Sequence, residues 1–197
     1  MRASEAFAGY NEYAGRVIED RTANPRDDLM SVLCHAEVDG DRLDQGSLIF
    51  ESLLILIGGD ETTRHVISGG GWQVLRDRDQ WERLVADPSL LTSGIEEMLR
   101  WVSPIKNMAR IATRDVEVAG QQVREGQKLL LLYPSANRDE AVFDEPFRFD
   151  IGRTPNRHLT FGFGLHFCMG APLARIEGQQ CIGRLLQRFK RIERAPG

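Results

Sequence analysis

The ten residues from Phe161 to Gly170 constrain this chain more than any other segment, because they place one cysteine in a loop of restricted shape. The three glycines of this loop adopt backbone conformations that other residues rarely reach, and they leave room for a flat ligand beside the main chain. A predicted helix starts at Ala171 with proline in its first turn, so the positive end of the helix dipole lies near Cys168. This environment favours the thiolate form of the cysteine.

A single thiolate limits the kind of metal site that the loop can form. One cysteine cannot complete a tetrahedral zinc site, but it suffices as the only protein ligand of a haem iron, whose in-plane positions the porphyrin fills. A phosphate-binding glycine loop would need a preceding strand and a following Lys-Ser/Thr, and a His-x-Cys zinc site would need a second ligand pair. The sequence has neither pattern. A buried or dispensable thiol is the remaining alternative for a lone cysteine.

The loop matches the pattern Phe-Gly-x-Gly-x-His-x-Cys-x-Gly at all six defined positions. This pattern resembles the haem-binding signature of the cytochrome P-450 family, the haem-thiolate monooxygenases. The resemblance implies that Cys168 is the axial ligand of a haem b iron, and that two cations face the haem propionates. The cofactor-binding residues that it implies in this part of the chain are Phe161, Gly162, Gly164, His166, Gly170 and Arg110.

A second segment, from Gly58 to Thr63, interrupts the apolar pattern of a long predicted helix with two glycines, two acids and two hydroxyls. Because each mid-helix glycine costs about 1 kcal/mol, we expect the helix to open there and accept water or a small ligand. A close helix–helix contact at Gly58 and Gly59 is the alternative. The segment resembles the oxygen-binding groove of the same family, which implies that Glu61 and Thr62 are catalytic residues that handle protons beside the haem. It also implies that Gly58 and Gly59 are cofactor-binding residues.

Glu97 and Arg100 lie three residues apart on one predicted helix face, where they can form an ion pair. On a solvated helix such a pair contributes only tenths of a kcal/mol. In the cytochrome P-450 family, however, a Glu-x-x-Arg pair is joined by an arginine from an irregular segment further along, and Arg153 occupies the corresponding place. The resemblance implies a structural role for these three residues in fixing the segment that carries the cysteine loop.

Hydrophobic spacing predicts a mainly α fold with a small β component. The resemblance implies that this fold corresponds to the C-terminal half of the cytochrome P-450 fold. We interpret His158 as a structural histidine, and Cys34 and Cys181 as packing residues on helices. Helices are predicted from Phe7 to just before Asn24, after Asp27-Asp28, from Asp44 to about Arg76, in a piece ending at Asp87, from Thr92 to Val102 and from Ala171 to about Arg191. Strands are predicted at Val116–Val118 and Lys128–Tyr133.

Composition excludes several classes of function. The formal net charge of −4, with both signs interspersed, argues against nucleic acid as a partner. The longest apolar run, from Leu53 to Ile57, is too short for a membrane span, and Met1 to Glu5 contain no apolar signal core. Three widely spaced cysteines suit a reducing compartment, so we expect a cytoplasmic protein.

The resemblance extends over essentially the whole chain. The sequences of Gly58–His65 and Glu96–Arg110 most resemble those of actinobacterial enzymes that oxidise the sterol side chain. It implies insertion of one oxygen atom from dioxygen into a C–H bond of a large apolar substrate. Because no flavin or nicotinamide motif is present, it also implies a ferredoxin and a ferredoxin reductase as electron donors. Basic residues near the C-terminus could form a docking face for an acidic ferredoxin, or they could simply be the solvated face of a helix. These residues are Arg175, Arg184, Arg188, Lys190 and Arg191.

The catalytic domain of the family is about twice as long as this chain, so the resemblance implies that residues 1–197 form a partial domain without the N-terminal half. Ile49 to Ile57 are apolar on nearly all helix faces, a pattern typical of complete burial. The chain provides too few other helices to surround them, so we expect this apolar area to face water and the isolated chain to be a poor catalyst. A haem-binding protein without turnover and a non-catalytic helical remnant are the alternative functions.

Overall fold

The computed structural model describes residues 3–189, 191 and 192, and most of them are helical. The helices are α1 (Ala3–Ala23), α2 (Leu29–His35), α3 (Gln45–Arg76), α4 (Arg78–Ala86), α5 (Leu91–Val102), α6 (Tyr133–Ala136) and α7 (Ala171–Arg188). The strands are β1 (Glu37–Val38), β2 (Asp41–Arg42), β3 (Asn107–Ile111), β4 (Val116–Val118), β5 (Gln121–Val123) and β6 (Lys128–Leu132). They pair as antiparallel β1–β2, β3–β6 and β4–β5. The predicted mainly α architecture is confirmed.

Local sequence signals set where several helices begin and end. Asp28 accepts a hydrogen bond from the Ser31 backbone N–H at 2.9 Å and caps α2, as predicted. Asp44 accepts one from the Ser47 N–H at 2.7 Å, at the start of α3. Proline lies in the first turn of α7, where its missing N–H costs no helical hydrogen bond. None of the described helices is long and apolar enough to cross a membrane.

Four of the six described strands were not predicted. β3 is exposed along its whole length, so it has no alternation of buried and exposed side chains to signal a strand. β5 has three residues, and it pairs with β4 across the turn at Ala119 and Gly120. β1 and β2 form a two-residue hairpin around Asp39 and Gly40, which the sequence marked only as a turn. Strands this short depend on their pairing rather than on their own sequence pattern.

The chain divides near residue 60 into two compact units. In the N-terminal unit (residues 1–60), α1 packs against α2 with Ala14 and Ile18 buried. The Phe50 side chain is 64% exposed, and Leu54 and Ile57 are also exposed. The predicted exposure of this apolar segment is therefore confirmed.

The core of the C-terminal unit (residues 61–197) surrounds α5. A Cβ placed at Gly70 of α3 would lie 2.5 Å from Cγ of Met98, and a Cβ at Gly178 of α7 would lie 3.2 Å from Ile95. Both helices therefore approach α5 at glycines. The buried hydrophobic residues of this core are Val66, Val74, Trp81, Leu84, Ile95, Met98, Leu99, Phe149, Ile151 and Ile182.

The prediction that Cys181 is a packing residue is wrong. Cys181 is exposed, because it lies on α7 one residue before the buried Ile182 and therefore about 100° around the helix from it. Cys34 is partly buried on α2, where its thiol lies 3.9 Å from the Ile18 carbonyl oxygen.

Candidate functional site

The cysteine loop, residues 161–170, is held by glycine conformations and by a hydrogen bond across its base. Gly162 and Gly164 have φ angles of +74° and +69°, in the left-handed region that favours glycine. A Cβ at Gly162 would also lie 3.3 Å from the His166 carbonyl oxygen. The Cys168 N–H donates to the Phe161 carbonyl oxygen at 2.8 Å, which closes the loop. The first turn of α7 follows directly, with Gly170 at its N-cap.

The surface around Cys168 is exposed and apolar. Cys168 is a free, exposed thiol, and the Phe163 and Met169 side chains are 85% and 82% exposed. Leu165 and Leu173 are exposed as well. Large apolar side chains grouped at a surface mark a place that a ligand or partner covers. A thiol set among apolar side chains, on a loop whose glycines leave room beside the backbone, fits the flat apolar ring of a haem.

Within the described residues, no group of three or more His, Cys, Asp or Glu could hold a metal ion. A haem iron needs no such group, because four of its ligands come from the porphyrin and one thiolate completes the protein side.

Glu97 and Arg100 of α5 form an ion pair whose side chains are completely buried. Arg100 donates from Nε and Nη2 to the two carboxylate oxygens, both at 2.7 Å. Arg153 joins them, since its Nε lies 3.3 Å from Oε1 and 3.2 Å from Oε2 of Glu97. The same carboxylate accepts hydrogen bonds from Asn156 Nδ2 at 3.1 Å and from the Asp150 N–H at 2.9 Å. The three residues named from the sequence are thus in contact.

The remaining donors of Arg100 bind the irregular segment between α6 and the cysteine loop. Its Nη1 donates to the carbonyl oxygens of Asn137 and Pro146, both at 2.8 Å, and its Nη2 to that of Arg148 at 3.0 Å. Asn137 in turn donates from Nδ2 to the Thr160 hydroxyl at 3.0 Å. Buried charges of this kind need every donor satisfied, and here backbone carbonyls satisfy them.

A second carboxylate network, which the sequence reasoning missed, lies one residue earlier on α5. Glu96 accepts two hydrogen bonds from Arg175, from Nε at 2.7 Å and from Nη2 at 2.9 Å. It also accepts one from Nε2 of His158 at 3.0 Å. Burial raises the pKa of Glu96, but the hydrogen bonds and charges of His158 and Arg175 outweigh it and lower that pKa to about 2. The partners of Glu96 lie 62 and 79 residues away, so no local sequence pattern signals this network.

His158 is almost completely buried, as expected for a structural histidine. Its Nδ1 accepts a hydrogen bond from the Thr160 N–H at 3.3 Å, while its Nε2 donates to Glu96. Both ring nitrogens are thus hydrogen-bonded, which fixes the orientation of this buried ring.

Glu61 and Thr62 lie on α3, which is continuous through Gly58 and Gly59. The predicted opening of the helix is therefore absent, because a cost of about 1 kcal/mol per glycine is small against the hydrogen bonding of a long helix. The alternative, a close helix contact, is not seen either, since a Cβ at either glycine would meet nothing within 4 Å. The exposed Glu61 carboxylate pairs with Arg64 at 2.8 Å.

Arg110 lies on β3 opposite Leu129 of β6, and its Nη1 donates to the Ala109 carbonyl oxygen at 3.0 Å. His166 ends a single 3-10 turn, Gly164–His166, within the cysteine loop. Both side chains are exposed, so their cationic or polar ends are accessible to an anionic ligand.

The predicted basic face is smaller than the sequence indicated. Arg175 is bound by Glu96, and this hydrogen-bonded partner is the main cause that raises the pKa of the guanidinium. Its charge is therefore compensated. Arg184 and Arg188 are exposed on α7, and Lys190 lies outside the described residues.

The chain matches the family model for cytochrome P-450 over residues 72–194, which is more than half of its length. It is 56% identical over 185 residues to a steroid C26-monooxygenase of Mycobacterium tuberculosis strain CDC 1551, covering 94% of this chain and 50% of the relative. A steroid C26-monooxygenase of Mycolicibacterium smegmatis is 52% identical over 189 residues, covering 96% of this chain and 47% of that relative.

The crystal structure of CYP109E1 from Bacillus megaterium in complex with corticosterone superposes with a TM-score of 0.90 at 39% identity. That superposition covers 98% of this chain and 52% of CYP109E1. The chain thus spans about half the length of the relatives that it matches. The matched residues include the cysteine loop, the Glu97–Arg100 pair and Arg153, and on this basis the chain belongs to the cytochrome P-450 family.

Proposed function

We propose that this chain is part of a haem-dependent monooxygenase, which inserts one oxygen atom from dioxygen into a C–H bond of a large apolar substrate, a steroid side chain. The observation that carries the proposal is the exposed Cys168 thiol, on a glycine loop surrounded by exposed apolar side chains. The two relatives named steroid C26-monooxygenase support the choice of substrate class. Corticosterone in the CYP109E1 complex agrees with it.

In this proposal Cys168 would supply the thiolate that holds haem b, and Phe161, Gly162, Gly164 and Gly170 would shape the loop that receives it. When bound, the haem supplies the activation of dioxygen, and the protein supplies position and protons. Arg110 and His166 hold the propionates through charge-assisted hydrogen bonds. The side chains of Cys168, Arg110 and His166 are exposed and therefore accessible to a cofactor.

Glu61 and Thr62 are the proposed proton-handling pair, beside Gly58 and Gly59 on α3. Glu61 is exposed and paired with Arg64, so its carboxylate is in contact with water. The absence of any Cβ at the two glycines leaves open space next to this turn of the helix, where a small ligand can approach.

Glu97, Arg100 and Arg153 have a structural role in the proposal. Their contacts fix the carbonyl groups of residues 137–148, and Asn137 continues the network to Thr160, next to the loop. The loop geometry would therefore depend on a network that touches neither substrate nor cofactor.

We further propose that a ferredoxin and a ferredoxin reductase supply the electrons, with Arg184 and Arg188 in the docking face. The free cysteines agree with a reducing, cytoplasmic location. The two compact units are proposed to be parts of one catalytic domain, whose remaining helices cover the apolar side chains of Ile49–Ile57.

The test compares two preparations: residues 1–197 alone, and the same residues joined to the N-terminal half of the Mycobacterium tuberculosis relative. Each is loaded with haem and assayed for steroid hydroxylation with ferredoxin and reductase. We expect the joined protein to hydroxylate the side chain and the isolated chain to lack coupled turnover, because its apolar area faces water. Haem binding without turnover by the joined protein would favour a binding protein instead. Coupled turnover by the isolated monomer would show that the joined N-terminal half is dispensable.

A further inference from the structure

Glu96 connects three segments that are distant in sequence. It lies on α5, His158 lies 62 residues later in the segment before the cysteine loop, and Arg175 lies 79 residues later on α7. One carboxylate thus joins the helix before the strands, the entrance of the loop and the helix that leaves it. No other contact described above links both ends of the loop to the same side chain.

The contacts continue from Arg175 to the loop itself. The Arg175 guanidinium carbon lies 4.7 Å from the centre of the Phe161 ring, and the His158 ring centre lies 6.0 Å from it. Phe161 is therefore bordered by both side chains that Glu96 binds. Its carbonyl oxygen accepts the hydrogen bond from the Cys168 N–H at 2.8 Å. The position of the Phe161 residue thus sets the position of the Cys168 backbone.

The geometry distinguishes this network from an ordinary surface ion pair. The Arg175–Glu96 contact is bidentate, His158 is almost completely buried, and the Glu96 side chain is only 23% exposed. Two-point recognition by a planar guanidinium fixes orientation as well as distance. A flexible surface pair would leave the Phe161 ring free to rotate away from the guanidinium.

We infer that Glu96 is a positioning residue for the cysteine loop, which it orients through Arg175, His158 and the Phe161 ring. Its direct contacts differ from those of the Glu97–Arg100–Arg153 cluster, which holds the irregular segment before the loop, and the two networks meet at Thr160. This role of Glu96 rests on the proposed function in one respect, namely that the loop presents a haem ligand.

The first test needs no haem. Amide hydrogen exchange is measured by mass spectrometry on the chain and on Glu96→Gln, which keeps the size of the side chain but removes its charge. We expect exchange in residues 159–168 to become about tenfold faster, because charge-assisted hydrogen bonds to Arg175 and His158 are weakened. Exchange in the buried part of α3, around Val66 and Val74, should stay unchanged.

The matched control is Glu177→Gln, which removes an exposed carboxylate from α7 next to the loop. It should leave exchange in residues 159–168 unchanged. The double variant Glu96→Gln/Arg175→Gln should accelerate exchange by a smaller factor than the product of the two single-variant factors, because both substitutions remove the Glu96–Arg175 contact. If Glu96→Gln unfolds the chain, Arg175→Lys decides the question, since it keeps the charge and loses the two-point contact. Unchanged loop exchange in the folded variant, or equal acceleration in α3, would overturn the inference.

The second test uses the haem-loaded protein and reads the spectrum of the reduced, carbon monoxide-bound form. Glu96→Gln should increase the fraction without thiolate ligation, and Glu177→Gln should not. If the parent protein binds no haem, the proposed function fails while the exchange result still stands. If the parent shows a thiolate spectrum that Glu96→Gln leaves unchanged, the role of Glu96 is refuted and the proposed function is untouched.

Discussion

Replacing Glu97 by glutamine should strongly destabilise the C-terminal unit. The Glu97 and Arg100 side chains have no exposed area, and five hydrogen bonds from Arg100, Arg153, Asn156 and the Asp150 N–H end on this one carboxylate. Glutamine keeps the size, removes the charge and turns one acceptor oxygen into a donor that faces the guanidinium. Breaking a buried pair by removing one partner costs about 3–5 kcal/mol. This is a large fraction of the roughly 5–15 kcal/mol that stabilises a typical domain.

The assay is urea unfolding followed by tryptophan fluorescence. The three tryptophans of the chain, at positions 72, 81 and 101, all lie in the C-terminal unit, so they report on the unit that holds the pair. The matched control is Glu61→Gln, which breaks an exposed pair with Arg64 and should leave the urea midpoint unchanged. A free energy of unfolding for Glu97→Gln within about 1 kcal/mol of the parent would contradict the reasoning, because the uncompensated Arg100 charge would then cost little.

Three further predictions concern other parts of the chain. The pKa of Glu96 is lowered from 4.5 to about 2, so the ionised carboxylate stabilises the fold fully above pH 4.5 and loses this contribution as the pH falls toward 2. The stability difference between the parent and Glu96→Gln, at most about 3 kcal/mol, should therefore shrink over that range, and a constant difference would count against it. Gly70→Ala should lose about 1–3 kcal/mol because its Cβ would lie 2.5 Å from Met98, whereas Gly59→Ala, with nothing within 4 Å, should gain up to about 1 kcal/mol. Thermal unfolding by circular dichroism measures both, and equal effects would refute the packing argument. In the protein joined to an N-terminal half, Thr62→Ala should keep haem and substrate but divert reducing equivalents to hydrogen peroxide, and an unchanged ratio of product to reductant would exclude a proton-handling role.

The helices were predictable because their signals are local. Each signal depends on neighbouring residues: the cap at Asp28, the end of α1 before Asn24-Pro25, and the apolar pattern of α3 that runs to Arg76. β3 has no such signal, since all five of its residues are exposed and only pairing with β6 makes it a strand. The opening predicted at Gly58 fails for a different reason. A weak local preference against helix is overridden by the hydrogen bonding of a 32-residue helix.

The candidate site was predictable only in part. Cys168, Glu97 and Arg100 carry short-range patterns, and Arg153 follows from the resemblance to the family. The Glu96 network could not be read from the sequence, because its partners lie 62 and 79 residues away. Arg175 was therefore interpreted as a surface charge for an electron donor, although it is bound to Glu96. Which charged residue pairs with which is decided by how the chain folds, and sequence spacing alone does not contain that information.

Binding of a haem iron by the Cys168 thiolate can be read from the spectrum of the reduced, carbon monoxide-bound protein. We expect the long-wavelength Soret band of thiolate ligation in the parent protein. This band should disappear in Cys168→Ala and persist in His166→Ala, which alters the same loop without removing the sulfur. A spectrum typical of histidine ligation in the parent, or one that Cys168→Ala leaves unchanged, would contradict the account.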